Sequence, residues 1–433
     1  AVDVMYTAST ITDFSRLRTG SFYAYFANPY NFSRTLLLFI WDVLLEIWQF
    51  RKARRQDIQP RLDRKKRGGK YPVLRASMTV LMRELNVYTL IGDMFAGVPS
   101  VYSTFVGYDE VAHHSGVESE DAFDVLRKMD QQLARLESAA RQAPRPYHFV
   151  ILSDHGQSGG ATFKQRYHMT LEAFVQQLAA EGYEVRGDVD VHEDWSHLNV
   201  FLTDTIQHDR PSVSRPVRRA LKRHTHEDKV VMGPQKEHLR GEDKTAEEDA
   251  SSIVVLASGN LGLIYFTDWK ERMTLEEIEA AFPAMIPGLA QHEGIGFLMV
   301  RSTDKGPMVI GAKGAYYLDA GQVEGENPLA PFGPNAAEHL CRTDGFPDAP
   351  DILVNSFYRA EGNEVAAFEE QIGCHGGMGG YQTRPFVLHP AEWESGGDQI
   401  VGAEAVYQVF KNWTGQLAKA KDQSETPTAL RST

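Results

Sequence analysis

Two short segments of the chain combine carboxylate and imidazole side chains after apolar stretches. In GYDEVAHHSG, Asp109 and His113 are four residues apart, so both lie on one face if the segment is helical. In LSDHGQSGG, Asp154 and His155 follow an apolar stretch directly. Carboxylate oxygens and imidazole nitrogens are ligands that a divalent metal such as zinc takes, and a catalytic site leaves one position open. Together the two segments favour a metal site.

A third segment, IGCHGGMGGY, places His375 among glycines shortly after the apolar run DILVNS. Ligands of open α/β sheets gather at the carboxyl ends of the strands. Two metal ions about 4 Å apart can clamp the attacking and the leaving oxygen of a phosphoryl group. Each segment also has a simpler interpretation, namely a polar loop or an ion pair on a helix surface. It is their combination that indicates metal chemistry.

The elements around these residues predict an α/β protein. VYSTFVGYDE and YHFVILSDHG are typical of buried strands, and an amphipathic helix with Ala122, Met129 and Leu136 on one face lies between them. This order predicts a βαβ unit and a parallel sheet covered on both faces. The runs SSIVVLASG, LGLIYF, GFLMVRS and DILVNS predict further strands, and Thr274 with Glu277 predicts a capping box.

Residues 1–100 differ from the rest, being helical and basic, whereas 101–433 fit one metal-binding domain with a polar excursion at about 207–250. From Leu36 to Phe50, Asp42, Glu46 and Gln49 form one polar stripe on an apolar helix. This helix either packs between other elements or presents a surface to a membrane or to another part of the protein. The following segment, with ten Lys or Arg from 51 to 70, is either a solvated linker or a partner for an anionic membrane surface.

Composition narrows the classes of partner. With 45 basic and 58 acidic residues the net charge is −13, which argues against nucleic acid as the main partner. The two cysteines, Cys341 and Cys374, are far apart in the sequence, so a thiolate zinc site is not expected.

The order of these motifs resembles the alkaline phosphatase superfamily, and most of all its type I phosphodiesterase and nucleotide pyrophosphatase branch. The segments YDEVAHHSG, LSDHGQS, ATFKQRYH, DILVNS and CHGGMGG resemble bacterial membrane-associated proteins that pair a phosphodiesterase-like domain with holin-like helices. The resemblance implies a three-layer α/β sandwich with a mostly parallel central sheet and two divalent metal ions, expected to be zinc. It implies one metal held by Asp109, His113 and His375, and a second held by Asp154 and His155.

In the family, the second metal also binds an earlier Asp and a Thr or Ser nucleophile. No apolar run ending in Asp-Gly precedes Asp109 in this sequence, so we expect that Asp, the nucleophile and the first strands to lie outside these residues. Thr10, in TITDFSRLRTG, imitates a nucleophile segment only superficially. Lys164 and Arg166 are candidates for contacting a phosphate oxygen, with a surface role as the alternative.

The function that the resemblance implies is metal-dependent hydrolysis of a phosphate ester, a phosphodiester rather than a monoester. The alternative is a non-catalytic, membrane-associated module that binds a metal ion or a phosphate ester.

Overall fold

The computed structural model describes residues 25, 28–188, 225–226, 229–230, 252–395, 397 and 399–425. The chain divides into two compact units, one of residues 1–146 and 155–384 and one of residues 147–154 and 385–433. The described helices are α1 (Pro29–Arg55), α2 (Arg64–Arg67), α3 (Tyr71–Ala76), α4 (Arg83–Phe95), α5 (Gly107–Ser115), α6 (Glu120–Ala140), α7 (Phe163–Tyr167), α8 (Leu171–Leu178), α9 (Leu275–Ala281), α10 (Met285–Gln291), α11 (Ala336–Asp344) and α12 (Gly402–Glu425). A π-helical turn, Ser77–Met82, joins α3 to α4, and short 3₁₀ turns lie at Ala330–Phe332, Ala360–Gly362 and Gly380–Thr383.

The described strands form four sheets. They are β1 (Ile151–Leu152), β2 (Ser158–Gly159), β3 (Val185–Asp188), β4 (Thr225–His226), β5 (Lys229–Val230), β6 (Ile253–Ser258), β7 (Leu261–Phe266), β8 (Ile295–Ser302), β9 (Gly306–Gly311), β10 (Gly314–Tyr317), β11 (Gln322–Gly325), β12 (Ile352–Ser356), β13 (Tyr358–Arg359), β14 (Glu364–Val365), β15 (Gly373–Cys374) and β16 (Val387–Leu388). The largest sheet has the order β11-β10-β9-β8-β12-β7-β6-β3. A small sheet, β13-β14-β2-β15, lies in the same unit.

Both faces of the large sheet are covered, as the sequence predicts. Along β8, Phe297 and Met299 point to one face, where they pack with residues of α11. Leu298 and Val300 point to the other face and join a larger core with residues of α7 to α10. Alternation of apolar side chains on both sides of a strand requires cover on both sides, because each face buries its own residues. The four strands predicted from the apolar runs are confirmed as β6, β7, β8 and β12.

The direction of the strands differs from the expectation of a mostly parallel sheet. Among the described strands of the large sheet only β3 and β6 pair in parallel, and the other pairings are antiparallel. The connections explain this, because β6–β7, β8–β9 and β9–β10 are joined by only two or three residues. Such short loops permit only antiparallel pairing, whereas a parallel crossover needs about a dozen residues or more.

The predicted βαβ unit around α6 is also wrong. The helix is present, with its first turn capped by Ser119, but residues 101–106 form no strand. Ile151–Leu152 is a two-residue strand that pairs antiparallel with β16. An apolar run indicates burial, whereas a strand also needs a neighbour that shares its hydrogen bonds. The excursion predicted at 207–250 lies outside the described residues apart from β4 and β5, and the boundary predicted near residue 100 stays a prediction.

Helix α1 buries its polar stripe. Asp42, Glu46 and Gln49 are all less than 4% exposed, and they surround the fully buried side chain of Arg75. The Arg75 guanidinium donates hydrogen bonds to Glu46 and Gln49, and its Nε lies 3.4 Å from Asp42 Oδ2. Burial alone raises the pKa of Asp42, but the charges of Arg75 and Lys128 outweigh burial and lower this pKa. The stripe is therefore the packing face of the helix, held by compensated charges.

The apolar face of α1 points outward. The exposed side chains include Leu37 at 69% and Trp41 at 62%; the others on this face are Leu36, Ile40, Leu44 and Trp48. A helix packed on all sides, one of the two interpretations of the sequence, is therefore wrong for this face. None of the described helices is both long and apolar enough to cross a lipid bilayer.

The basic segment after α1 is more than a solvated linker. Arg67 is 3% exposed, and its Nε donates to Glu46 Oε1 at 2.9 Å, while its Nη2 donates to Asp121 Oδ2 at 2.6 Å. The remaining basic residues that end α1, Arg51, Arg54 and Arg55, are exposed. Arg67 is thus structural, whereas Arg51, Arg54 and Arg55 leave positive charge at the surface.

In the smaller unit, aromatic side chains gather around Trp413 of α12. Trp413 is 3% exposed and donates from Nε1 to the carbonyl of Glu394 at 2.7 Å. The rings of Trp393, His389 and Phe410 lie about it, and His148 lies against Trp393. These contacts fasten α12 to the extended chain that follows β16.

Replacing Arg75 by Met is expected to lower the free energy of unfolding by about 3–5 kcal/mol, because it leaves two buried carboxylates with less positive charge. Urea denaturation measures this change. Lys128→Met is the matched control, since Lys128 also pairs with Asp42 but its side chain is 29% exposed. For the control we expect a loss of about 1 kcal/mol or less. Equal losses in the two variants would contradict the role given to Arg75.

Candidate metal centre

Helix α5 places the first two candidate ligands. It starts at Gly107 and ends where Gly116 adopts a φ of 100°, a left-handed conformation that glycine adopts without strain. Asp109 lies in the first turn and His113 in the last, which suits the partial charges of the helix ends. Because they are four residues apart, their side chains meet on one face, with His113 Nε2 at 3.2 Å from Asp109 Oδ2. The segment is thus helical, which is the condition under which the spacing of four places the pair on one face; Gly107 to Glu110 do not extend the strand expected in VYSTFVGYDE.

Strand β15 brings His375 to the same point. It pairs antiparallel with β2 and lies along the end of α5, where the amide of Ile372 donates to the carbonyl of His113 at 2.7 Å. The His113 ring in turn contacts the carbonyl of Gly373 through Nδ1, also at 2.7 Å. His375 then lies with Nε2 at 3.8 Å from Asp109 Oδ1.

The glycine-rich segment after His375 is held by two buried asparagines. Asn355 at the end of β12 accepts from the amide of Met378 at 2.7 Å and donates to its carbonyl at 3.1 Å. Asn260, in the β6–β7 turn, donates to the same carbonyl at 3.0 Å. Gly376 and Gly379 both have a φ of 110°, so the chain turns back sharply on either side of this clamp. The end of β12 and the β6–β7 turn of the large sheet therefore fix the loop that carries His375.

The side chains of Asp109, His113 and His375 converge closely enough to bind one ion. One ligand atom from each lies within 4.8 Å of the others. A tetrahedral ion with ligand bonds near 2 Å holds its ligand atoms about 3.3 Å apart. The separation of 3.2 Å from Asp109 Oδ2 to His113 Nε2 is close to that spacing, and the other carboxylate oxygen, Oδ1, lies 3.8 Å from His375 Nε2. One carboxylate and two imidazoles form a donor set that suits zinc.

The hydrogen bond of His113 determines which form of the ring faces Asp109. A carbonyl oxygen only accepts, so Nδ1 carries the proton and donates to Gly373. In the neutral ring Nε2 then holds a lone pair directed toward a carboxylate oxygen, and two acceptors this close require a proton or a metal ion between them. Donation of the second ring nitrogen to a carbonyl is also the usual support of a metal-binding histidine.

The charge of the Asp109 carboxylate is strongly favoured. Burial opposes its ionisation, but His113, His375 and the amide of Gln157 outweigh burial and hold the pKa of Asp109 well below its usual value. The carboxylate is therefore ionised throughout the neutral range, as a ligand must be.

His155 lies beside His375. The two rings stack with centroids 3.7 Å apart, and His155 Nδ1 is 3.0 Å from the carbonyl of Gly156. Gly156 has no room for a side chain, because a Cβ would lie 2.1 Å from the carbonyl oxygen of Tyr381. Asp154, the other ligand expected for a second metal, is assigned to the smaller unit. Its part in a second site stays a prediction.

The remaining candidates have partners of other kinds. Lys164 Nζ lies 3.4 Å from Glu370, and Arg166 forms an ion pair with Glu364 and donates to the carbonyl of Ala161 at 3.1 Å. Their predicted contact with a phosphate stays a prediction. His114, next to His113 in the sequence, points away from Asp109 and stacks on Tyr71 with centroids 3.9 Å apart.

One contact of the site had no signal in the sequence. Gln157, 5% exposed, donates from Nε2 to the backbone carbonyl of Asp109 at 3.2 Å and to Asp109 Oδ1. The two residues are 48 positions apart, and neither period nor spacing connects them. Gln157 does lie in the LSDHGQS segment that carries the resemblance, and this is the only hint that it belongs to the site.

Comparison with known proteins shows which family part of the chain resembles. Residues 91–279 match the family model described as "Type I phosphodiesterase / nucleotide pyrophosphatase". This part of the chain is similar to the type I phosphodiesterases. The match covers somewhat less than half of the chain and includes Asp109, His113, Asp154 and His155, while His375 lies beyond it. It supports the alkaline phosphatase-like superfamily. Neither a curated protein nor a solved structure gave a match.

Replacing Gly373 by Ala is expected to separate β15 from α5. A Cβ at this position would lie 2.6 Å from the carbonyl oxygen of Ala112 and 2.5 Å from Gln157 Oε1. We expect the free energy of unfolding to fall by about 1–3 kcal/mol, as for overpacking in a core. Gly92→Ala is the matched control, since nothing lies within 4 Å of its Cβ position in α4. Urea denaturation of both variants measures the difference, and an unchanged Gly373→Ala would contradict the close approach.

Proposed function

We propose that the chain contains the metal-binding part of a hydrolase of phosphate esters that prefers phosphodiesters to monoesters. The observation that carries the proposal is the convergence of Asp109, His113 and His375 on one point. The similarity of residues 91–279 to type I phosphodiesterases supports the substrate class. Asp154 and His155 are proposed to hold a second divalent ion, and zinc is the metal proposed for both.

The residues of the chain bind and orient in this proposal. A divalent ion at the centre supplies electrostatic stabilisation of the charge on the phosphoryl group. Asp109 supplies the negative ligand, and the two imidazoles supply neutral ligands whose positions are fixed by Gly373 and by the clamped loop. Lys164 and Arg166 are proposed to approach the phosphate, which requires each to exchange a carboxylate partner, Glu370 or Glu364, for it.

Purified chain is expected to bind about one zinc ion tightly and a second weakly, because the centre of Asp109, His113 and His375 has three ligands and the other has two. His375→Ala is expected to remove the tight site. Zinc content after gel filtration and competition with a chromophoric chelator measure both sites. His339→Ala, which removes a half-buried histidine of α11, is the control. Unchanged zinc stoichiometry in His375→Ala would defeat the assignment.

Binding of inorganic phosphate tests whether the metal centre also binds the substrate group. Inorganic phosphate titrated calorimetrically into the zinc-loaded chain is expected to bind, and the binding is expected to disappear with the zinc and in His375→Ala. Retention of phosphate binding after removal of the zinc would contradict a metal-centred substrate site.

A second proposal concerns the outward face of α1, and it favours a membrane-associated protein. We propose that this face lies on an anionic membrane surface. Its apolar residues continue into the exposed Arg51, Arg54 and Arg55, which at 100° per residue fall on the same side of the helix. Lys52 extends over the ring of Trp48 at 5.5 Å from its centroid. Apolar and tryptophan side chains next to basic residues are typical of helices that lie in the interface of an anionic bilayer.

The chain is expected to bind phosphatidylglycerol vesicles, more weakly as salt increases, because the basic end of α1 contributes a screened attraction. The double variant Trp41→Gln/Trp48→Gln should bind roughly a hundredfold more weakly or worse, since burial of each large apolar side chain contributes about 1.5–3 kcal/mol. Vesicle co-sedimentation measures both effects.

Phe346→Gln is the matched control, because Phe346 is 48% exposed and follows α11. Binding that is equal in the control and the double variant would contradict the role of α1. So would a monomeric chain that does not bind vesicles at all.

A further inference from the structure

Gln157 touches the candidate metal centre without being a ligand type for zinc. It directly precedes β2, and its side chain is nearly fully buried. Its Nε2 donates to two oxygens of one residue, the backbone carbonyl of Asp109 at 3.2 Å and the carboxylate oxygen Oδ1. A single amide group therefore ties the side chain of Asp109 to the start of its own helix.

Because of this contact, the two oxygens of the Asp109 carboxylate have different neighbours. Oδ1 accepts the amide hydrogen of Gln157 and lies 3.8 Å from His375 Nε2, whereas Oδ2 lies 3.2 Å from His113 Nε2. The side chain of Asp109 is 39% exposed, so packing alone does not hold it in one orientation. A carboxylate also rotates easily about its last bond, for which the preferences are broad. The hydrogen bond from Gln157 restricts that rotation at Oδ1, as the contact with His113 does at Oδ2.

The orientation of the Gln157 amide is itself determined by its surroundings. A flipped amide would place Oε1 against the Asp109 carboxylate, so that two acceptors would face each other. In the observed orientation Oε1 lies on the side of Gly373, 2.5 Å from the position of a Cβ on that glycine. Gly373 therefore leaves room for Oε1, and the two acceptor oxygens of Asp109 favour the orientation in which the amide presents its N–H₂ group.

We propose that Gln157 is a positioning residue that makes Asp109 bind the metal through one oxygen only. This inference rests on the proposed metal centre. With Oδ1 held by the amide, Oδ2 is the oxygen offered to the ion, and the chain supplies three ligand atoms in all. A four-coordinate ion then keeps one position for an oxygen of the substrate. Were both carboxylate oxygens free to bind, the second one would fill that position.

Cobalt(II) is the probe, because its visible absorption is strong in four-coordinate sites and weak in sites of higher coordination number. Gln157→Met removes the donor and keeps the length of the side chain. At saturating cobalt, the variant is expected to absorb more weakly per bound ion than the wild-type chain, because the released carboxylate binds through both oxygens. Its affinity is expected to fall by about 10–100-fold, as for other residues that support ligands.

Gln132→Met is the matched control, since Gln132 is 6% exposed and its amide contacts Lys128 and Arg135 on α6. The spectrum at saturation decides the question. A Gln157→Met spectrum identical to that of the wild type overturns the inference even if the affinity falls, because loss of affinity alone is what a space-filling role would produce. A weakened spectrum in Gln157→Met and an unchanged one in Gln132→Met support it.

Two further measurements keep the test decisive. If Gln157→Met does not fold, Gln157→Asn replaces it, since this amide is shorter by one methylene and withdraws from Oδ1 with little change in polarity; the same spectral outcomes then apply. Wild-type chain that binds no cobalt, or His375→Ala that binds it normally, overturns the proposed metal centre and this inference with it. Normal cobalt binding that is lost in His375→Ala, together with an unchanged Gln157→Met spectrum, overturns the inference alone.

Discussion

The contact between the end of α5 and β15 is the interaction on which the candidate site depends. His113 takes part twice, because its backbone carbonyl accepts from Ile372 and its ring donates to Gly373. The first bond places the strand that leads to His375, and the second fixes the tautomer that leaves Nε2 facing Asp109. A single residue therefore serves as a ligand candidate and as the anchor of another ligand. Such double use is possible only because Gly373 lets the two backbones approach.

The N-terminal helices depend on the pairing of buried charges. Helix α1 turns its charged stripe inward and its apolar face outward, so the stripe needs compensating cations inside the protein. Arg75, Arg67 and Lys128 supply them from three other helices or turns. Buried ion pairs of this kind contribute little net stability but make each member costly to remove. The arrangement is consistent with a face of α1 that has an apolar partner, because an exposed apolar stripe of this size is unusual in water.

Local patterns predicted the elements well and their arrangement poorly. The capping box at Thr274, helix α6 and four strands of the large sheet were readable from spacing and period, whereas helix α5 was only a condition of the spacing of Asp109 and His113. The parallel direction was not, and the sequence held a signal against it, because a gap such as Ser-Gly-Asn between SSIVVLA and LGLIYF is too short for a crossover. The βαβ interpretation relied on two apolar runs alone. Whether such a run becomes a strand depends on a neighbour that is often distant in the sequence, as β16 is from β1.

The site shows the same division between chemistry and geometry. The residue types marked Asp109, His113 and His375 as candidates, and the resemblance implied that they share one ion. The structure brings the three together, although His375 is more than 250 residues from the others. Gln157 was not found from the sequence, because an amide carries no charge and is not a ligand type for zinc. Its effect comes only from the hydrogen bond that it donates to the Asp109 carboxylate. Gly373 was not found either, because the absence of a side chain matters only where another segment of backbone comes close. Residues that bind a ligand are therefore easier to find from sequence than residues that aim it, since aiming depends on contacts between distant segments. In this chain both aiming residues lie beside a candidate ligand segment, Gln157 after Asp154-His155 and Gly373 before His375, so the neighbours of predicted ligands are the places to search for them.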